Sequence, residues 1–334
     1  MNPAFQAVLT IVIGVGGCIG YFWASNLFLD KVLYPASGKN AGRNINRANQ
    51  IRPWLFLMPA IIALGLYLAY PVFATFWLSF HDNDGNGFVG LNNYREMAAE
   101  PKFWESLTNN MLWLIVVPAL STAFGLLAAQ LTDRIRWGNF AKAMIFMPMA
   151  ISFVGASVIW KLIYDDNPLG QEQIGILNAI YLSLGGDQPQ QWLQIPFWNN
   201  FFLMAVLVWI QAGFAMVILS AALRSIPEET IEAAILDGAS PFQIFFKIKM
   251  PQIIGTIVVV WTTITITVLK VFDIVLAMTN GEHNTQVLAN YMFGKLFRSG
   301  TGDWGVGSAS AMVIMLLVTP ILIWNVYNVR KEMR

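Results

Sequence analysis

Residues 200–223 read NFFLMAVLVWIQAGFAMVILSAAL, a stretch with no charged side chain. A helix needs roughly 20 mainly apolar residues to cross the hydrocarbon of a bilayer, and this stretch supplies them without interruption. Outward from it, uncharged runs recur at 1–29, 53–80, 106–132, 143–160, 188–223, 250–269 and 304–329. Trimmed to the apolar parts, they predict spans at about 5–29, 54–80, 107–131, 143–162, 200–223, 253–276 and 306–328. The composition agrees: 56% of the 334 residues are hydrophobic and 12% are charged. A soluble domain carries about 25% charged residues, so this chain has too little charge to cover a water-facing surface. The fold class expected is an all-α polytopic membrane protein of seven helices.

Lys and Arg set the orientation. The connections 30–53, 132–142 and 224–252 and the tail hold fourteen of them, from Lys31, Lys39, Arg43, Arg47 and Arg52 through Arg134, Arg136, Lys142, Arg224, Lys247 and Lys249 to Arg330, Lys331 and Arg334. The alternate connections hold five: Arg95, Lys102, Lys161, Lys295 and Arg298. The richer side is cytoplasmic by this rule, which puts the N-terminus outside and the C-terminus inside. The first span has no Lys or Arg before Lys31, unlike a cleaved signal peptide, and reads as a retained helix. Gly16 and Gly20 on it form a GxxxG, either a close helix contact or ordinary small residues. Residues 31–53 read as a basic cytoplasmic linker in contact with anionic lipid. The segment 188–199, broken by Pro189 and Pro196, reads as an interfacial approach with Trp192 and Trp198 at headgroup level. The outer loops 81–106 and 161–199 each carry a net charge of −3. They are either a docking surface for an extracytoplasmic partner or solvated loops kept free of positive charge.

Several functions are excluded. Net charge of +1 gives no field that would draw nucleic acid. One cysteine, Cys18, and two histidines, His81 and His283, leave no basis for a cysteine-built metal site or a triad. No GxxxxGK[ST] loop is present to hold ATP. Neither a catalytic residue nor a cofactor is expected on this chain.

One segment breaks the composition: 225–251, SIPEETIEAAILDGASPFQIFFKIKMP. Ser225 and Glu228 read as a capping box with Pro227 in the first turn. The helix is expected to run to Leu236 and stop at Gly238, a natural C′ residue. Ser240-Pro241 starts a second short helix that is expected to end before Pro251. Ala233 and Ala234 keep one face shallow, and Ile231, Ile235, Phe242, Phe245 and Phe246 supply apolar anchors for a helix-in-groove contact. An amphipathic helix lying on lipid would carry Lys and Arg on its polar face. Here that face carries Glu228, Glu229 and Glu232, which favours protein docking.

Glu232-Ala233-Ala234-x-x-Asp237-Gly238-Ala239, with Phe245, Ile248 and Pro251 after it, resembles the EAA loop of ABC importer permeases. The flanking Ile226-Pro227-Glu228-Glu229 and Ser240-Pro241-Phe242-Gln243, and Leu269-Lys270-Val271-Phe272-Asp273 before Thr279-Asn280-Gly281, look like the sugar-importer, maltose-permease branch. Met250, where leucine is usual, is a volume-conserving departure. The resemblance covers residues 54–330 as a six-helix permease core, to which residues 1–30 add one N-terminal helix. The whole chain is most similar to permeases for alpha-glucosides and glucosylglycerol-type solutes. The resemblance implies a bacterial inner-membrane transporter in which this chain pairs with a second, homologous permease. Two ATP-binding subunits would receive the loops through Glu232, Ala233, Ala234, Asp237, Gly238, Ala239 and Phe245. A solute-binding protein would deliver an oligosaccharide or glucoside from outside, and ATP would be hydrolysed on the partner chains.

A neutral sugar needs hydrogen-bonding groups and aromatic faces. In 200–223, Gln211 is the one central amide, Phe214 lies one turn further along and Trp209 is close by. Gln211 and Phe214 fall where the maltose-permease pattern has sugar-contacting residues, although the residue types differ. In 253–276, Thr263 and Thr267 share a face that Lys270 continues. Their hydroxyls either meet sugar or bond their own helix. Lys270 and Asp273, at i and i+3, either pair with each other or serve the passage. The competing class is a secondary carrier for a small neutral solute. It would show inverted repeats and coupling-ion carboxylates in its spans, and neither is seen.

The charge distribution makes a direct prediction. A reporter active only in the cytoplasm, fused to the N-terminus, stays silent, and the same reporter on the C-terminus is active. Activity at the N-terminus would reverse the topology.

Overall fold

The uncharged runs fold as helices in the computed structural model, which describes residues 3–37, 40–133, 135–168, 170–298 and 302–332. Lys39, Arg134 and Arg334, counted above for orientation, lie outside the described residues. Every regular element among the described residues is helical, apart from one isolated bridge between His81 and Phe88.

Residues 1–74 and 75–334 form two compact units. The first contains α1 (Pro3–Phe28), a π-helical turn at Leu29–Leu33, α2 (Ala41–Leu64), a second π-helical turn at Gly65–Ala69 and the start of α3 (Tyr70–Leu78). Arg52 grips both carboxylate oxygens of Asp30 at 2.6 and 2.9 Å, and Tyr21 donates to the Leu55 carbonyl at 2.8 Å. Residues 41–53, expected to be a linker, are the first turns of α2. Ala, Arg and Gln at these positions are good helix formers, and the Arg52–Asp30 pair fixes the helix. Nothing lies within 4 Å of a Cβ placed at Gly16 or Gly20, so among the described residues the GxxxG makes no close contact. The apolar side chains of α1 point outward almost throughout, as a lipid-facing helix requires.

The second unit continues with α4 (Asn92–Ala99), α5 (Pro101–Thr132), α6 (Gly138–Phe146), α7 (Phe153–Ile163), α8 (Ile176–Ser183) and α9 (Trp198–Arg224). Its remaining elements are α10 (Glu228–Leu236), α11 (Pro241–Gln243), α12 (Met250–Gln252), α13 (Ile254–Leu269), α14 (Asp273–Met278), α15 (Leu288–Phe297) and α16 (Trp304–Glu332). α5 and α9 are its axis. A Cβ at Gly125 of α5 would stand 2.4 Å from the Ala215 Cβ and 2.8 Å from the Met216 nitrogen. Backbones therefore meet directly there, as small residues allow in membrane helices. Around this contact the buried Trp113, Val117, Leu203, Met204, Leu207, Met216, Leu219 and Ile264 make the core.

Five helical stretches are long and apolar enough to cross a membrane: Phe5–Leu33, Ala41–Leu78, Pro101–Thr132, Trp198–Arg224 and Trp304–Trp324. The other two expected spans are not straight. The run 143–162 bends by 105° between Gly138–Ala150 and Phe153–Ile163. Pro148 ends the first piece in a tight 3₁₀ turn, and Ser152 caps the second by accepting from the Gly155 amide at 3.0 Å. The run 253–276 is entered through a 71° bend and stops at Leu269, with α14 starting afresh at Asp273. The count is thus five to seven, depending on whether each bent pair is one span.

That break overturns the Lys270–Asp273 pairing. The i, i+3 argument needs one continuous helix. Lys270 is instead the residue that ends α13, and Phe272, with φ −143° and ψ −58°, precedes α14. No ion pair joins Lys270 and Asp273 among the described residues.

Replacing Gly125 by Leu drives a side chain into the α9 backbone and costs about 1–3 kcal/mol. The thermal unfolding midpoint in detergent drops for Gly125→Leu and holds for Gly16→Leu, whose side chain enters open space.

Candidate functional site

The chain leaves α9 at Arg224 and turns into the loop that the sequence singled out. Its first helix, α10, begins without a side-chain cap: Pro227 is the N-cap residue, and the Ser225 hydroxyl bonds back to the Ala222 carbonyl at 2.8 Å. The expected Ser225/Glu228 capping box is therefore not formed. Ser225 still belongs to the last turn of α9, and its hydroxyl is spent on that turn. The C-terminus is as expected. Gly238 has φ +78°, the Ala239 amide reaches back to the Ala234 carbonyl and the Gly238 amide to the Ile235 carbonyl, both at 3.0 Å. This is a complete Schellman motif.

A capping box occurs one helix later. Ser240 Oγ accepts from the Gln243 amide at 3.3 Å, and Gln243 Oε1 accepts from the Ser240 amide at 2.8 Å. The second helix does not end before Pro251. It widens into a π-helical turn at Ile244–Lys249 and carries on through α12. Pro251 has no N–H to give, and the carbonyl four residues back, that of Lys247, lies in the widened turn, which relieves the usual proline clash.

The loop's residues divide between two faces. Ala234 is buried, and Phe245 and Ile231 pack against the main core. Glu232, Ala233, Asp237 and Gly238 are exposed, with Ala239 half-buried. Leu236 and Phe242 are 88% and 71% exposed. Two large apolar side chains left open beside an acidic helix form an unfilled contact surface. Ile235 and Phe246 join it, also exposed. Sequence spacing named most of this surface but missed Leu236.

Just above the loop, one carboxylate ties three helix ends together. Asp133, at the end of α5, accepts from Lys142 of α6, from the Ser220 hydroxyl at 3.0 Å and from Arg224 Nε at 3.0 Å, both on α9. Partial burial pushes the Asp133 carboxyl up, but the bonds from Lys142, Ser220 and Arg224 outweigh it and hold it below the usual carboxylate range. No motif or period marks this cluster, whose members are up to 91 residues apart.

The expected passage residues fall on different faces. Leu207, Gln211 and Phe214 share one stripe of α9 by their spacing. Leu207 lines a cleft of about 20 Å³ with Thr267, Lys270 and Asp273, room for little more than one water. Gln211 is 8% exposed, and its amide atoms are not among the polar groups shut off from solvent without a partner. Phe214 packs against the core. Trp209 lies on another face and lines an apolar groove of about 660 Å³ with residues such as Val116, Phe124 and Ala212. The Thr263 hydroxyl donates to the Val259 carbonyl at 2.8 Å and that of Thr267 to the Thr263 carbonyl at 3.1 Å. Both hydroxyls serve their own helix in this conformation.

At the far end of α9, about 40 Å from the loop at 1.5 Å per residue, asparagines hold a strained turn. Asn280, His283 and Asn284 all have positive φ. Asn109 donates to the Asn284 and Gln286 carbonyls at 3.0 and 2.8 Å, Asn199 to the His283 carbonyl at 2.5 Å, and Asn200 to the Asn284 carbonyl at 3.1 Å. Asn110 accepts from the Leu288 amide at 2.8 Å. No group of His, Cys, Asp and Glu side chains suited to a metal ion occurs among the described residues.

Comparison with known proteins agrees with this geometry. Residues 121–334 match the family model described as binding-protein-dependent transport system inner membrane component. The chain is 64% identical to the alpha-glucoside transport system permease protein AglF of Rhizobium meliloti, over 99% of both chains. It is 46% identical to the osmoprotective compounds uptake permease protein GgtC of Synechocystis, over 83% of this chain and 99% of that one. In fold it is similar to a chain of a bacterial alginate ABC transporter, with a TM-score of 0.72 at 18% identity, covering 89% of this chain and 99% of the other.

The Asp133 cluster predicts a pH dependence. A carboxylate whose folded pKa is depressed adds stability above its unfolded pKa, about 3.9, and loses it as pH falls through the folded value. Asp133→Asn unfolds at lower temperature than the parent at pH 7, since Lys142 loses its counter-charge. The difference begins to close below about pH 4. A gap of constant size down to pH 2 would show that the Asp133 charge carries none of it.

Proposed function

This chain belongs to the family of binding-protein-dependent transport system inner membrane components, and on that premise we propose that it forms part of the membrane passage for an alpha-glucoside. It is a permease subunit of an ATP-driven importer in the inner membrane, and ATP is hydrolysed on a separate subunit. An importer of this kind works with an ATPase and a solute-binding protein. The finer assembly we propose is two permeases, this chain and a homologous one, on two ATP-binding subunits. The N-terminus is outside, and the 225–251 loop faces the cytoplasm. Near-identity of length and 64% identity to an alpha-glucoside permease support the substrate class; glucosylglycerol-like solutes are close in chemistry.

The observation that carries the mechanism is the rigid loop. The Schellman turn at Gly238 and the capping box at Ser240 fix the angle between α10 and the helix after it. The inner side of the loop, through Ala234 and Phe245, is packed into the core. Its outer side offers Glu232, Leu236, Asp237 and Phe242 to a groove on the ATPase. A push on that side is therefore passed to α9 and α13 without being absorbed by bending. Asp133 lies in the same path, since it holds the end of α9 to α5 and α6. The sugar moves along the Gln211–Phe214 stripe of α9. The Gln211 amide supplies hydrogen bonds and Phe214 an apolar face, once the cleft between α9 and α13 widens. Trp209 and the Thr263 and Thr267 hydroxyls contribute where they line the opened passage.

The test uses transporter reconstituted with its ATPase and binding protein. Gly238→Pro forces a φ near −65° on a residue at +78°. With Glu232→Lys, it cuts ATPase attachment and sugar-stimulated hydrolysis while the permease still inserts. Gln211→Ala keeps attachment but lowers uptake about two- to tenfold at limiting sugar, the worth of about 0.5–1.5 kcal/mol. Full attachment and normal uptake in all three would remove the importer mechanism.

A further inference from the structure

A second cavity, distinct from the α9–α13 stripe, opens at the far end of α9. It measures about 280 Å³ and is lined by Lys161, Tyr164, Asp165, Asp166, Gln191–Gln194 and the 278–283 segment. Sites for drug-sized ligands run to about 300–1,000 Å³, so this one suits a single sugar ring. Its walls are braced before any ligand arrives. Buried Asn178 donates to the Asp165 and Gln190 carbonyls at 2.9 and 3.0 Å and accepts from the Gln190 amide at 2.9 Å. The opposite wall is the turn whose left-handed His283 is held by Asn199. Strain of this kind persists where the surroundings over-determine it, and it concentrates at binding sites.

We propose that this cavity is an entry subsite for one glucosyl ring of the sugar, an inference that rests on the importer reading above. Trp192 provides the apolar face for the ring's C–H groups. Asp165, Asp166 and Glu282 accept from its hydroxyls, as charge-assisted hydrogen bonds. The Trp192 indole N–H is shut off from solvent, so the ring offers the cavity its carbon surface and not its donor. The carboxylates of Asp165, Asp166 and Glu282 outnumber Lys161 in the cavity, and the aromatic ring beside them suits a polyol ring, which presents hydroxyls at its rim and C–H groups on its face.

The cavity also leads somewhere. Trp192 meets Phe202 at 5.3 Å between ring centroids, Phe202 meets Tyr164 at 5.4 Å, Tyr164 meets Trp160 at 5.4 Å, and Trp160 meets Trp209 at 5.8 Å. The Trp160 indole N–H is likewise buried and unpaired. An unbroken aromatic run therefore joins this cavity to the Trp209 face of α9, which borders the apolar groove rather than the Gln211 stripe.

The complete transporter, in proteoliposomes with its ATPase and binding protein and a Cys18→Ser background, is assayed with maltose, trehalose and sucrose. Asp166→Asn and Trp192→Phe raise the half-saturating sugar concentration for uptake about tenfold, the loss of one charge-assisted bond or stacking face, while binding-protein attachment holds. Glu282→Cys is labelled by a maleimide, and the transported sugar alone slows the labelling. Unchanged uptake in both variants together with unprotected Cys labelling overturns the subsite. So does a loss of binding-protein attachment that parallels the loss of uptake, which would make the cavity a protein dock. A parent transporter that takes up none of the three sugars overturns the alpha-glucoside reading, and the subsite with it.

Discussion

The direct backbone contact between α5 and α9 is the constraint on which the second unit depends. In lipid, two helices gain nothing by hiding apolar surface from one another, because the tails are as apolar as leucine. Association has to come from close packing, and Gly125 against Ala215 and Met216 lets the two backbones approach more closely than any larger pair. Gly213 does the same toward α6, where a Cβ would stand 2.5 Å from the Ile145 carbonyl. With the axis set by these two glycines, large side chains such as Trp113, Leu203 and Met216 fill the space around it.

The two ends of this axis are finished with different chemistry. At the end next to the 225–251 loop, charges do the joining: Asp133 draws in Lys142, Ser220 and Arg224. Lys142 and Asp133 are mostly buried while Arg224 is exposed, so salt screens the Lys142 pair less than the Arg224 pair. At the far end, neutral asparagines brace a strained turn through carbonyl contacts. Those bonds are directional, and together they hold the turn in one shape.

The broken elements lie between these ends. The 105° bend before α7 and the stop at Leu269 put irregular backbone inside apolar runs. Such breaks are tolerated in a membrane only against other protein or a polar cavity. Lys270 and Asp273 line a small cleft beside Leu207 and Thr267, which is where that condition places them. Of the expected sugar-contacting residues only Thr267 lines this cleft, and Leu207 there belongs to the same α9 stripe as Gln211 by spacing.

Much of this was legible from residues alone. Uncharged runs of 20 or more residues force helices, because lipid offers no other partner for backbone groups. The Gly238 turn was legible because only glycine enters the left-handed region freely there. The 225–251 pattern gave the family, since it packs several constrained residues into one short segment. What the sequence misread were local choices decided by distant neighbours. Ser225 matches a capping box, but its hydroxyl is claimed by the last turn of α9, and Ser240 forms the box instead. Lys270 and Asp273 have helical spacing, but the helix between them is broken. The Asp133 cluster, the asparagine braces and the cavity at the far end of α9 join residues far apart in the chain. No period or motif marks such groups, because their energy comes from contacts that exist only once the helices have packed.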